Sequence, residues 1–137
     1  RELGVTDEVR FLGKLDAVEE VLSVCDLFLM PSEKESFGLA ALEALACEVP
    51  LVTSNAGGIP ELNVQGVTGF LSEVGDVADM VKNTLFILRD ENLPTFKKNA
   101  LERAKEFDIS VILPQYETYY QKVLEKSQSR RVVEIKN

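Results

Sequence analysis

The stretch Asp26-Leu-Phe-Leu-Met-Pro-Ser-Glu-Lys-Glu-Ser-Phe-Gly-Leu-Ala-Ala-Leu-Glu-Ala-Leu-Ala46 decides the fold. Its consecutive apolar residues Leu27 to Met30, ended by Pro31, suit a strand covered on both faces of a parallel sheet. Ser32 to Phe37 is polar and turn-like. Gly38 then leads into Leu39–Ala46, a run of strong helix formers. Pro50 halts that helix and introduces a second strand, Leu51-Val52-Thr53. Strand, turn, helix and strand in this order describe a βαβ unit, whose crossover is right-handed.

Moving outward, Val9-Arg10-Phe11-Leu12-Gly13 is a short apolar run ending at glycine and is predicted as a strand. Asp16 is a candidate cap for a helix with Val18, Val21 and Leu22 on one stripe. Asn55-Ala56-Gly57-Gly58 reads as a loop, and Pro60 opens a short helix with Glu61 in its first turn. Gly69-Phe70-Leu71 is a last short strand. Asp76 is predicted to cap a helix whose inner face carries Met80, Val81, Leu85 and Leu88. Helical patterns cover 92–106 and 109–126, the second with Ser110 as candidate cap and Pro114 in its first turn. The result is an α/β chain with four strands, a Rossmann-like parallel sheet with flanking helices. Residues 1–126 form its domain and 127–137 a basic tail expected to be weakly ordered.

Composition narrows the chemistry. The chain has 137 residues, 15 basic and 23 acidic, for a net charge of −8. That suits one domain and argues against a nucleic-acid or anionic-membrane partner. It has no histidine, which excludes within this chain a histidine triad or an HExxH zinc site. Cys25 and Cys47 are too few for a cysteine-rich zinc site and are expected as buried free thiols of a reducing cytoplasm. No apolar run is long enough for a transmembrane helix. The charged start, without Met and without a signal-peptide pattern, suggests that sequence preceding Arg1 has been removed.

In an open α/β sheet ligands bind beyond the carboxyl ends of the strands. Three segments are placed there: Gly13-Lys14, Pro31 to Gly38, and Ser54 to Gly58. The middle one is richest. Glu35 precedes the helix and Glu43 lies eight residues on, inside it. Between them the amides of Phe37, Gly38 and Leu39 stand at a helix N-terminus, which carries about half a positive charge. Such an array can hold a diphosphate on amides and sugar hydroxyls on carboxylates, which only accept. The plainer alternative is a glutamate favouring the helix dipole and another that is simply solvated. For Gly57 and Gly58 the plainer alternative is a turn into a helix.

The pattern Glu35-Ser-Phe-Gly-Leu-Ala-Ala-Leu-Glu43 resembles the E-x7-E motif of the family 4 retaining glycosyltransferases of GT-B fold. Phe11-Leu-Gly13, Val49-Pro-Leu-Val52, Gly57-Gly-Ile-Pro-Glu61 and Gly66-Val-Thr-Gly-Phe70 resemble further family stretches, and the likeness covers roughly residues 3–124. It implies part of a C-terminal donor-binding domain that lacks its first part. It also implies a hexosyltransferase working with retention and without metal or other cofactor. Position by position, Glu35 is implied to hold the donor sugar, in the catalytic role. Ser36, Phe37, Gly38 and Leu39 are implied to contact sugar and diphosphate, and Glu43 the ribose. Gly13 and Lys14 are implied to lie near the nucleobase, and Gly57 and Gly58 beside the donor pocket. Ser32 to Leu39, Phe70 to Asp76 and Gln115 to Tyr120 are most similar to the subfamily that joins UDP-GlcNAc to L-malate in bacillithiol biosynthesis. The implied partners are a nucleotide sugar and an N-terminal acceptor domain of the same chain, and the cationic phosphate ligands, an Arg and a Lys, are implied to come from the missing first part of the donor-binding domain. A homo-oligomer stays open, and the fragment alone is expected to be inactive. Tyr116, Tyr119 and Tyr120 are expected as packing residues.

A family 4 enzyme acting on a glycan or lipid, or a non-catalytic module, stays as an alternative. A receiver domain needs an aspartate where Met30-Pro31 stands, and Asp26 is at the wrong end of that strand. Neither GxGxxG nor Walker A occurs.

Overall fold

A computed structural model describes residues 3–135, with side chains through residue 127. Among these residues three strands form one parallel sheet in chain order: β1 (Phe28–Met30), β2 (Leu51–Ser54) and β3 (Gly69–Ser72). Phe28 pairs with Leu51 and Met30 with Thr53, while Leu51 pairs with Gly69 and Ser54 with Ser72. Five helices accompany the sheet: α1 (Val18–Leu22), α2 (Leu39–Ala46), α3 (Val77–Ile87), α4 (Leu93–Lys105) and α5 (Ile109–Ile135). A 3₁₀ turn, Ile59–Glu61, follows β2.

The central strand explains the layering. Side chains alternate across a strand, so Leu51 and Val52 point to opposite faces. Both are fully buried. Leu51 joins Leu22, Ala41, Ala44, Leu45, Leu62 and Ala100 in one cluster, where α2 packs. Val52 joins Met80, Ile87 and Phe96 in another. Helices thus cover both faces, as an apolar parallel strand requires.

Several expectations are corrected. Val9–Gly13 is not a strand: it is exposed, with Phe11 97% accessible, and no ladder pairs it. Strand propensity yields a strand only where a neighbour takes up the backbone groups, and none does so here. The residue capping α1 is Ala17 rather than Asp16, with no side-chain bond. On α3 the buried positions are Met80, Asn83 and Ile87, while Val81, Leu85 and Leu88 are exposed. The polar Asn83 is buried because its amide bonds the Asp79 carboxylate at 2.8 Å and the Ser72 hydroxyl at 3.2 Å. Asp76 does cap α3, accepting from the Asp79 amide at 2.9 Å. At the start of α5 it is Asp108 that accepts from the Ser110 amide, at 2.8 Å, so Asp108 takes the capping role given to Ser110. Pro114 lies inside α5 and past its first turn. Tyr116, Tyr119 and Tyr120 are more than half exposed on this helix. Cys25 and Cys47 are free and half-buried rather than buried. Helix α5 ends at Ile135, and of the basic 127–137 tail the side chains from 128 on lie outside the described residues.

The β3 end is tied to α3 through Asp79, which accepts from the Ser72 hydroxyl at 2.8 Å. That bond chiefly, with help from Asn83 and Lys82, holds the Asp79 carboxyl below its ordinary value, outweighing the opposite effect of burial.

A second buried polar group organises the segment after β2. Asn63, 1% exposed, donates to the Thr53 hydroxyl at 2.9 Å and to the Phe70 carbonyl at 3.0 Å. Its own oxygen accepts from the Thr68 hydroxyl at 3.1 Å. One amide therefore joins β2, β3 and the turn between them. Asn63→Ala removes the amide donor to the Thr53 hydroxyl and the Phe70 carbonyl, while Thr68 keeps its bonds to Val64, and each buried group left unsatisfied costs about 1–3 kcal/mol. Urea unfolding is expected to report a loss of that order or more, and unchanged stability would remove Asn63 as the joint.

Candidate functional site

The site begins where β1 and β2 end. They are parallel neighbours, so the loops leaving their carboxyl ends emerge side by side. The first loop carries Pro31 to Gly38 into α2. The second carries Asn55 to Gly58 into the 3₁₀ turn. Residues some twenty positions apart in sequence are thereby brought into contact.

That contact is backbone on backbone. The Gly58 amide donates to the Ser36 carbonyl at 3.1 Å. A Cβ added to Gly57 would lie 1.6 Å from the Glu35 carbonyl oxygen, and one on Gly58 would lie 2.3 Å from that of Ser36. One residue further on, Ile59 Cδ1 lies where a Cβ on Gly38 would come within 2.4 Å of it. Residues 57, 58 and 59 thus underlie 35, 36 and 38. Glycine at 57 and 58 serves close approach here, and Gly57 also takes a left-handed φ of 54° that other residues rarely adopt.

Gly38 is the N-cap of α2, with φ 92° and ψ 52°. It has no side chain with which to cap the helix, so the first-turn amides receive no side-chain acceptor. The helix forms because Leu and Ala fill it, and it is anchored by buried Ala41, Ala44 and Leu45. Glu35 is half-buried, and its Oε1 accepts from the Ser36 amide at 2.9 Å. Glu43 is exposed on α2. Ser36 and Leu39 are exposed, and Phe37 is half-buried with its ring edge-on to Phe107 at 5.8 Å between centroids. Glu35, Ser36, Phe37, Gly38, Leu39, Glu43, Gly57 and Gly58 form one unit around the start of α2. Gly13 and Lys14 stand apart from it on the exposed stretch before α1, with open space where a Gly13 Cβ would be.

The arrangement offers free amide donors at a helix start, flanked by two carboxylates. It is suited to binding an anion together with hydroxyl groups. Cys47, one turn beyond Glu43, is pushed up by burial and by the charges of Glu19 and Glu43, so its thiol stays protonated and is a poor nucleophile. Among the described residues no group of three or more acidic or cysteine side chains is placed to hold a metal ion. A groove of about 530 Å³ runs along the α5 side of Phe37; its lining, Leu42, Phe107, Ile112, Gln115, Tyr116 and Tyr119 with Phe37, includes neither glutamate.

Two residues around this unit carry no local sequence signal. Arg103, in the last turn of α4, donates through Nη2 to the Glu61 carbonyl and through Nε to that of Leu62 at 3.4 Å. Its guanidinium also lies 4.9 Å from the centre of the Phe107 ring. Their partners in the 3₁₀ turn and the first loop are some forty or more positions earlier, beyond the reach of pattern or spacing.

Residues 1–107 match the family described as "Glycosyl transferases group 1". The chain is 44% identical to the N-acetyl-alpha-D-glucosaminyl L-malate synthase of Bacillus anthracis, over 96% of this chain and 35% of that protein. Its fold resembles sucrose-phosphate synthase from Thermosynechococcus elongatus, with a TM-score of 0.82, 29% identity and coverage of 91% of this chain and 32% of that one. It also resembles Anabaena Alr3699/HepE, solved in complex with UDP-glucose, with a TM-score of 0.78, 30% identity and coverage of 88% and 34%. The chain spans about a third of the length of each of these proteins. Among the described residues no helix is long and apolar enough to cross a membrane.

Proposed function

The chain belongs to the group 1 glycosyl transferases, and from that membership we propose that it is the donor-binding part of a retaining hexosyltransferase of GT-B fold. The observation that carries this is the Glu35–Gly38 loop resting on Gly57-Gly58 at an uncapped helix start, with Glu43 in the helix behind it. Glu35 holds hydroxyls of the donor sugar. The amides of Phe37, Gly38 and Leu39, with Ser36, take the diphosphate, and Glu43 the ribose. Gly13 and Lys14 lie toward the nucleobase. The donor is a nucleotide-diphosphate sugar, UDP-GlcNAc, and the acceptor L-malate, in a cytoplasmic bacillithiol pathway; the 44% identity to the L-malate synthase supports this choice. No resident cofactor takes part.

No side chain of this site is a convincing nucleophile, so the chemistry is a front-face displacement. The leaving diphosphate draws the proton from the incoming hydroxyl on the face it departs from, and configuration is retained. The chain then contributes position and stabilisation of leaving-group charge. An acceptor domain elsewhere in the full-length protein positions the acceptor hydroxyl, and the first part of the donor-binding domain supplies the cations that complete the phosphate site.

The test is nucleotide release by the full-length protein with a panel of nucleotide sugars, with and without L-malate. UDP release from UDP-GlcNAc only when malate is present is the expected result. Turnover with a different acceptor would keep the transferase and discard the malate assignment. Measurable turnover by these 137 residues alone would discard the division of labour.

A further inference from the structure

We propose that Arg103 is a positioning residue for the Glu35 loop, acting through the turn beneath it and through Phe107. The inference rests on the donor-site role given to Glu35 above. Arg103 belongs to α4, and its side chain is 22% exposed. All three of its nitrogens are engaged. Nε and Nη2 donate to the carbonyls of Leu62 and Glu61, at the end of the 3₁₀ turn, and Nη1 pairs with Glu106.

Both of its routes lead to the same loop. The turn whose end it fastens begins with Gly58 and Ile59, which lie under Ser36 and Gly38. The ring its guanidinium covers, Phe107, is the ring that meets Phe37. The loop carrying Glu35 is therefore held from below by the turn and from the side by an aromatic pair, and one guanidinium braces both supports. The planar fork of arginine is what allows this, because it can donate in two directions while its face stacks. A cation in the last turn of a helix also suits the helix dipole, but Lys105 stands in the same turn and could serve that purpose alone.

The experiment is a double-mutant cycle in the full-length protein, with kcat/KM for the nucleotide-sugar donor as readout. The variants are Arg103→Met, Glu35→Gln and the two combined, with Tm measured for each. A loop displaced by about an ångström loses on the order of 10- to 100-fold in kcat/KM. Arg103→Met is expected to show a loss of that size. When Glu35 is already Gln, the same change is expected to cost less, because the carboxylate's share of the loss is already gone while the displaced amides still contribute theirs. A purely structural Arg103 would instead lower Tm and multiply its loss onto that of Glu35→Gln. Full multiplication, or unchanged kinetics in a folded Arg103→Met, overturns the proposal while leaving the donor site intact. Unchanged kinetics in Glu35→Gln overturns the donor site itself. Should Arg103→Met not fold, Arg103→Lys, which keeps the charge and loses the fork, carries the same cycle and the same outcomes.

Discussion

Glu35→Ala in the full-length protein is expected to lower kcat/KM for the donor by about 10- to 100-fold, the kinetic equivalent of losing one charge-assisted hydrogen bond of roughly 1.5–3 kcal/mol. One carboxylate oxygen is fixed by the Ser36 amide at 2.9 Å, which orients the group and leaves the other oxygen available to a hydroxyl. Glu43→Ala is expected to raise donor KM without a comparable fall in kcat, since a ribose contact far from the reacting carbon binds ground state and transition state alike. Normal donor KM and normal rate in both variants would end the case for this site.

Gly57→Ala is expected to be at least as severe and to act on stability as well. Two effects combine. The left-handed φ of 54° costs a Cβ-bearing residue about 1–2 kcal/mol. The Cβ would also sit 1.6 Å from the Glu35 carbonyl oxygen, a backbone atom that cannot rotate away. Either the turn or the Glu35 loop must move, and the total destabilisation is expected to exceed about 3 kcal/mol. Gly66 provides the control, because its φ of 72° is similar while nothing lies within 4 Å of its added Cβ. Gly66→Ala therefore isolates the conformational cost. Urea unfolding of the two variants gives the clash as their difference, and equal losses would mean that the backbone contact is dispensable. In donor kinetics Gly57→Ala is expected to match or exceed Glu35→Ala, since moving the loop displaces the carboxylate together with the neighbouring amides.

What could be read from the chain was what neighbouring residues determine. The β1–turn–α2 unit, β2, β3, the cap at Asp76 and the extent of α4 all follow from local composition and period. The two glutamates stood out through the Glu35-to-Glu43 motif resemblance, since two glutamates eight positions apart are by themselves common. What could not be read depends on partners distant in sequence. Val9–Gly13 has the composition of a strand, but a strand is a relation with a neighbour, and here that neighbour is missing. On the inner face of α3 Met80 was legible, while Asn83 was not, because its burial answers to Ser72 and Asp79, which no hydropathy count registers. Gly57 and Gly58 were legible as a turn, which Gly58 does open, but their contact with the Glu35 and Ser36 carbonyls depends on a loop some twenty positions earlier. Arg103 looked like an ordinary charge at a helix end.

The sheet's order has a kinetic consequence. Because β1, β2 and β3 are neighbours in the same sequence in which they leave the ribosome, each pairing closes only the short segment between consecutive strands. Closure entropy grows with the length of chain enclosed, and folding slows as contacts become more distant in sequence. A nascent chain can therefore lay β1 against β2 as soon as α2 and Leu51–Ser54 have emerged, before β3 exists. The Glu35 loop and the turn that supports it, both complete by Leu62, can then meet before β3 and the helices that follow it have emerged.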